Sequence, residues 1–236
     1  MIAEMDFDLN LAARPKRLTI GAEQEPLIVI DDVFKHPDRV VAYAAHTALF
    51  GPAGAAYPGQ RAAVPEYLNQ VLFYALQSIT LQVFGISEHD EMSMTSSFAM
   101  VTQSSDQLSP SQRIPHFDAP DAKALAVVIY MCDPGWGGTS FYRHRASGFE
   151  TVSPERVVSY TRQLDAEGAQ TDLASRSSDL RDDVFARIHS VEARFNRLIL
   201  YRSRQLHAAD VTADRMPSDN PAEGRLTITS FLKATR

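Results

Sequence analysis

Apolar residues recur at three- and four-residue spacing in the first third of the chain and at two-residue spacing beyond residue 90, so a helical pattern gives way to a strand pattern. Before the change, Leu68, Val71, Leu72, Ala75, Ile79 and Val83 fall on one helical face, with Pro65 at its start and Gly85 at its end. A shorter helix is predicted from Pro37 to about Phe50, because Pro at a first helical position forfeits no hydrogen bond. Residues 51–61, rich in Gly and Pro, read as a loop, and 17–20 and 27–30 as short strands. After Asp90, Met92, Met94, Phe98 and Met100 interleave with Ser93, Thr95, Ser97 and Ala99, the mark of a half-buried strand. Further strands are predicted at 114–118, 125–131, 139–144, 197–201 and 226–232. A charged insertion at about 145–190 carries two predicted helices, opened by Ser153-Pro154-Glu155 and by Ser178-Asp179, the second with Leu180, Val184 and Ile188 on one face.

Helices followed by many short strands predict a mainly β fold with flanking helices (α+β), a jelly roll or sandwich supported by its N-terminal helices. The expected layout is one domain over 1–236, with helical support at 27–90 and a β core at 91–232 that holds the insertion. Its interior lets alternate residues of several strands meet at one point.

Composition narrows the classes. Charged residues are 22% and hydrophobic ones 44%, ordinary for a globular protein. No apolar run reaches the roughly 20 residues of a membrane span, and the acidic start Met1-Ile2-Ala3-Glu4-Met5-Asp6 lacks the basic and apolar regions of an export signal; a cytoplasmic location is expected. Cys132 is the single cysteine, which excludes an intrachain disulfide and any Cys-based cluster. A net charge of -6 argues against a general nucleic-acid binder.

The chemistry concentrates in the second half. His116 and Asp118 lie two apart, so on a strand both side chains leave one face and can share an ion; a distal His207 follows an apolar run and a turn. Two His and one carboxylate are what a non-haem Fe(II) site uses when it keeps positions open. The His-x-Asp spacing alone is weak, since about 0.5 copies arise by chance in a chain of this composition. A second copy, His36-Pro37-Asp38, stands at a predicted helix start. What lifts 116/118 above that decoy is the later strand, where Arg225, Thr227, Thr229 and Phe231 share one face and Leu226, Ile228, Ser230 and Leu232 the other. With the aliphatic face packed, Arg225 and Thr227 turn to a polar interior, where a guanidinium fork can hold a carboxylate. His144, between two arginines, and His189, at a predicted helix end, are expected to serve as hydrogen-bonding or surface residues, and His89-Asp90 lies in a short polar connection.

This pattern of His-x-Asp, distal His and following Arg-x-Thr resembles the 2-oxoglutarate and Fe(II)-dependent dioxygenase superfamily. Gly137-Gly138-Thr139-Ser140-Phe141-Tyr142 is similar to the Gly-Gly turn and strand of its prolyl-hydroxylase-like branch. Tyr57-Pro58-Gly59-Gln60-Arg61 together with Tyr142-Arg143-His144-Arg145 resembles uncharacterised bacterial members. The resemblance, over roughly 92–232, implies a double-stranded β-helix with iron held by His116, Asp118 and His207. It implies 2-oxoglutarate as co-substrate, its distal carboxylate on Arg225 with a hydroxyl contact from Thr227, dioxygen as the oxidant, and hydroxylation of a small molecule or peptide. The sequence departs from the usual pattern in the spacing of eighteen positions from His207 to Arg225 and in the long insertion after His144. Arg143, His144 and Arg145 are candidate contacts for an acidic substrate group. Two other readings stay open: a non-catalytic jelly roll that binds a metal or ligand, and a cupin-type metalloenzyme, which would normally present a His-x-His that this chain lacks.

Overall fold

The computed structural model describes residues 7–54, 57–104, 107–109, 112, 114–170, 183–210 and 215–235, and among them eleven strands and three α-helices make up the fold. The chain runs β1 (Lys16–Ile20), β2 (Glu25–Ile30), α1 (Pro37–His46), β3 (Gly51–Pro52), β4 (Gly59–Ala63), α2 (Glu66–Phe84) and β5 (Glu91–Val101). It continues through β6 (Ala124–Tyr130), β7 (Thr139–His144), α3 (Val157–Gln170), β8 (Phe185–Val191), β9 (Arg197–Arg202), β10 (His207–Ala209) and β11 (Arg225–Thr235). Eight strands form one antiparallel sheet in the order β1-β2-β9-β6-β11-β5-β4-β3, and three form a second, β10-β7-β8. The two sheets are the sides of a double-stranded β-helix.

The period of two decides what each face meets. Leu125, Val127 and Ile129 of β6, Leu198 and Leu200 of β9, and Leu226, Ile228 and Leu232 of β11 join the core that α1 and α2 cover, through Val40, Ala44, Leu68, Leu72 and Leu76. Ser230, on that same face, is buried and bonds Ser96 (2.7 Å), which reaches Asn69 of α2 (2.8 Å). Ala126, Tyr130, Ile199 and Tyr201 face inward and pack on Phe141 and Val191 of the smaller sheet. Fully burying one such side chain stabilises by about 1.5–3 kcal/mol, so both interfaces are strongly specified.

Several predicted elements differ. The N-terminal third contributes four strands to the large sheet as well as its two helices. The Gly- and Pro-rich stretch 51–61, read as a loop, contains β3 and the start of β4: a Cβ at Gly59 would lie 1.9 Å from the Met100 carbonyl, and glycine there lets β4 close on β5. Helix α1 ends at His46, short of Phe50; α2 matches its prediction, though its buried row is Leu68, Leu72, Leu76, Thr80 and Phe84. Of the second insertion helix, 178–182 lie outside the described residues, and Ile188 stands on strand β8. Among the described residues no helix is long and apolar enough to cross a membrane.

Substituting Gly59→Ala should lower the unfolding free energy by about 1–3 kcal/mol in urea titration, the usual cost of forcing atoms into a packed region; an unchanged midpoint would show that β4 yields freely.

Candidate metal and anion site

His116 and Asp118 do not sit on a strand, as the reading of 114–118 expected, but on an extended segment held by single backbone contacts. His116 and His207 exchange both backbone bonds, each N–H donating to the other's carbonyl at 2.9 Å, and the Asp118 N–H donates to the Ser203 carbonyl (2.8 Å). The alternation argued from spacing survives without a ladder, because an extended backbone still sends residues two apart to one side. His207 comes in on β10, opposite Phe141 of β7, and its ring is walled by Tyr201 (centroids 4.9 Å apart) and Phe141 (6.5 Å).

Three potential ligand atoms, one from each of His116, Asp118 and His207, lie within 4.8 Å of one another. His207 Nδ1 is 2.9 Å from the Gln205 carbonyl, which can only accept; Nδ1 therefore carries the hydrogen and Nε2 presents a lone pair. That Nε2 is 3.6 Å from Asp118 Oδ2, and His116 Nε2 is 3.7 Å from Asp118 Oδ1. These gaps are too long for hydrogen bonds but fit ligands around one ion with bonds of about 2.0–2.2 Å. Desolvation by the surrounding protein pushes both imidazoles down to about 4; His207 adds to the effect at His116, which Asp118 opposes. Burial also raises the Asp118 carboxyl, against the pull of His116 and Arg61. The two rings are thus neutral at pH 7, and acceptors converge where a cation would satisfy them. Exposure is graded, from 7% for the His207 side chain through 19% for Asp118 to 56% for His116, so the site opens on one side.

A cavity of about 500 Å³ runs inward from these three residues, and Arg225, Thr227, Thr229 and Phe231 line it, the face of β11 that alternation assigned to the interior. Arg225 is only 4% exposed. Its Nε donates to the Trp136 carbonyl (3.2 Å) and its Nη2 to that of Gly138 (3.1 Å), which leaves other N–H donors of the fork unused. No carboxylate pairs with it among the described residues. The Gly137-Gly138 turn is what brings those carbonyls into place: a Cβ at Gly138 would lie 1.8 Å from the Val191 carbonyl, and one at Gly137 (φ 77°) 1.5 Å from that of Asp210. Thr227 lines the cavity but its hydroxyl donates to the Ala99 carbonyl (3.3 Å).

The other sequence candidates fall elsewhere. His36 stands at the N-cap position of α1 without a side-chain capping bond, and His89 is exposed beside an Asp90 that pairs with Lys123 (2.6 Å). His144 is fully buried between Ser147 and Glu167 (2.8 Å each), and His189 stands on β8. The expectation that Arg143, His144 and Arg145 contact a substrate does not hold for this cavity: none of them lines it, and Arg143 is bound to Glu150. Tyr57 and Arg61 do line it. Only the resemblance drew attention to that segment; its composition suggested a loop, and nothing in the sequence placed it on β4 beside the site.

A protein-family model described as a family of unknown function, DUF6445, matches residues 11–232. The chain belongs to that family. No curated protein matches this DUF6445 member. Among solved structures it is similar to the non-haem alpha-ketoglutarate-dependent epimerase SnoN from nogalamycin biosynthesis, with 11% identity over 89% of this chain and 78% of that one, TM-score 0.48. It is also similar to an N-substituted L-amino acid dioxygenase from Burkholderia ambifaria AMMD, with 10% identity over 95% and 99% of the two chains, TM-score 0.43. A structure of that dioxygenase in complex with alpha-ketoglutarate gives 11% identity over 91% and 87%, TM-score 0.40. At such identities these likenesses say nothing about individual residues of the DUF6445 site.

Tyr57, which lines the cavity, and Tyr130, buried behind the lining residue Thr139, differ in a way that stability can read. Tyr130 shares a hydrogen bond with Thr139 (2.6 Å), whereas the Tyr57 hydroxyl is buried with no partner. Tyr130→Phe should cost about 0.5–1.5 kcal/mol of unfolding free energy, and Tyr57→Phe should change it by less than about 0.5 kcal/mol or raise it, as measured by urea denaturation without added ligand.

Proposed function

We propose that this protein is a 2-oxoglutarate- and Fe(II)-dependent dioxygenase that hydroxylates a small molecule or peptide. The observation that carries the reading is Arg225, a guanidinium 4% exposed, without a carboxylate partner among the described residues, lining the same cavity as three convergent metal-ligand side chains. Removing a cation from water without an anion is costly, and a bound dicarboxylate offsets that cost. Two imidazoles and one carboxylate suit Fe(II), and leave further positions for a bidentate co-substrate and dioxygen.

His116, Asp118 and His207 would hold the iron, and Arg225 the distal carboxylate of 2-oxoglutarate, with Thr227 beside it. When bound, iron and 2-oxoglutarate supply activation of dioxygen coupled to oxidative decarboxylation. The chain's own part is orientation and exclusion. The Gln205 carbonyl fixes the His207 tautomer, and Tyr201 and Phe141 prevent the ring from turning. Phe231, Val128 and Ala126 give the cavity an apolar wall that keeps water from the reacting centre. Asp118 supplies the carboxylate ligand, so no ligand position is vacated for a halide, which favours hydroxylation over halogenation.

Anaerobic addition of Fe(II) and 2-oxoglutarate should produce the weak visible charge-transfer band of the chelated co-substrate. His207→Ala should abolish both iron binding and the band. Arg225→Met should retain iron but weaken 2-oxoglutarate by about 30-fold or more, the scale of truncating one partner of a buried charge pair. An iron-loaded wild-type protein with no band, or an Arg225→Met protein with undiminished 2-oxoglutarate affinity, would count against the assignment.

A further inference from the structure

We infer that Arg61 and Tyr57 form a second anion subsite in the cavity, one that takes the carboxylate of the substrate to be oxidised; the inference rests on the dioxygenase reading above. Its first support is register. Arg61 on β4 lies opposite Ala99 on β5, which in turn lies opposite Thr227 on β11, so the three share the cavity face of the large sheet. Neighbouring strands are about 4.8 Å apart, which sets the Arg61 backbone roughly 10 Å from that of Thr227. Arg61 thus enters the cavity two strands away from Thr227, and the Tyr57 hydroxyl lies within electrostatic reach of both Arg225 and Arg61.

The second support is what Arg61 lacks. Its guanidinium lies over the Tyr57 ring, 4.7 Å from the centroid, an arrangement that fixes its plane while leaving its N–H edge available. Its Nε is buried without a hydrogen-bond partner, and no ion pair engages it among the described residues. The Tyr57 hydroxyl is likewise buried without a hydrogen bond of good geometry, and burial, opposed by Arg225, Arg61 and the neighbouring Thr227 hydroxyl, raises its pKa. It stays protonated and can donate. Two idle donor groups of adjacent residues thus line one cavity.

Charge gives the third support. Imidazoles that ligate a metal are neutral, so the charged side chains lining the cavity among the described residues are Asp118, Arg225 and Arg61. Fe(II) and the 2-oxoglutarate dianion cancel each other, and Asp118 cancels one arginine. One positive charge is left over, and a monoanion neutralises it. A planar carboxylate matches the fork of Arg61 with Tyr57 adding a third bond, whereas a dianionic phosphate would overshoot. Val101, Leu108, Val128 and Phe231 supply apolar walls nearby. The substrate class is accordingly a monocarboxylate with an apolar body.

The test uses full-length protein saturated with Zn(II), a diamagnetic substitute for iron, and 2-oxoglutarate, with benzoate as probe and benzamide as its uncharged control, both followed by ligand-observed NMR. Benzoate should bind and benzamide should not. Arg61→Gln should weaken benzoate by about tenfold or more, as expected for hydrogen bonds to a charged group, while 2-oxoglutarate affinity stays within about twofold of wild type; that retained affinity also shows the variant to be folded. Tyr57→Phe should weaken benzoate by a smaller factor. Equal benzoate binding by Arg61→Gln, or none by a wild-type protein that holds Zn(II) and 2-oxoglutarate, overturns this inference alone. Loss of 2-oxoglutarate in Arg61→Gln would make Arg61 the co-substrate anchor and overturn it as well. A wild-type protein that holds neither Zn(II) nor 2-oxoglutarate removes the dioxygenase reading and this inference with it.

Discussion

The register of β11 is the constraint on which the rest of the molecule depends. It is paired with β5 along all 11 of its residues and with β6 along 7 of them, near the middle of the eight-stranded sheet. A slip of one residue would place Leu226, Ile228 and Leu232 in the polar cavity and drive Arg225 into the aliphatic core beneath α2. Burial of those three side chains, worth roughly 1.5–3 kcal/mol each, makes such a slip prohibitive. The core thus fixes the position of a charged group that contributes nothing to it.

That charged group needs a second device, since a guanidinium cannot be buried without partners for its N–H groups. The carbonyls of Trp136 and Gly138 provide two, and they reach it only because glycine at 137 and 138 lets the turn press against Asp210 and Val191. Val191 ends β8 and Asp210 directly follows β10, both strands of the smaller sheet, and β10 delivers His207. One turn therefore couples the Arg225 end of the cavity to the His207 end. The same economy appears on β4, where Gly59 permits the close approach to β5 that sets Arg61 over the cavity.

The strand pattern after residue 90 was legible because a half-buried strand must alternate, and β5, β6, β7, β9 and β11 lie where alternation placed them. β4 was not legible, since its composition is that of a turn and its strand character comes from pairing with Met100 and its neighbours rather than from its own residues. β8 was hidden for a similar reason: its Ile188 also suits a helical period, and pairing with β7 decides the matter. At the site, His116, Asp118 and His207 were found by residue type and spacing, and the structure brings them together. Their arrangement on a nearly ladder-free segment, held by His207 and Ser203, is a property of contacts between distant parts of the chain.

From its order of residues alone the chain offers His116, Asp118 and His207 as candidate ligands and determines which face of the last strand turns inward, the latter because residues two apart on an extended backbone share a side. Tertiary structure alone decided that Arg225 is buried with no carboxylate partner among the described residues, that Arg143 is bound by Glu150 and lies outside the cavity, and that Arg61 lies inside it with no ion pair among the described residues. Whether a charge has a partner depends on what the fold brings within a few ångströms of it, and spacing along the chain carries no such information.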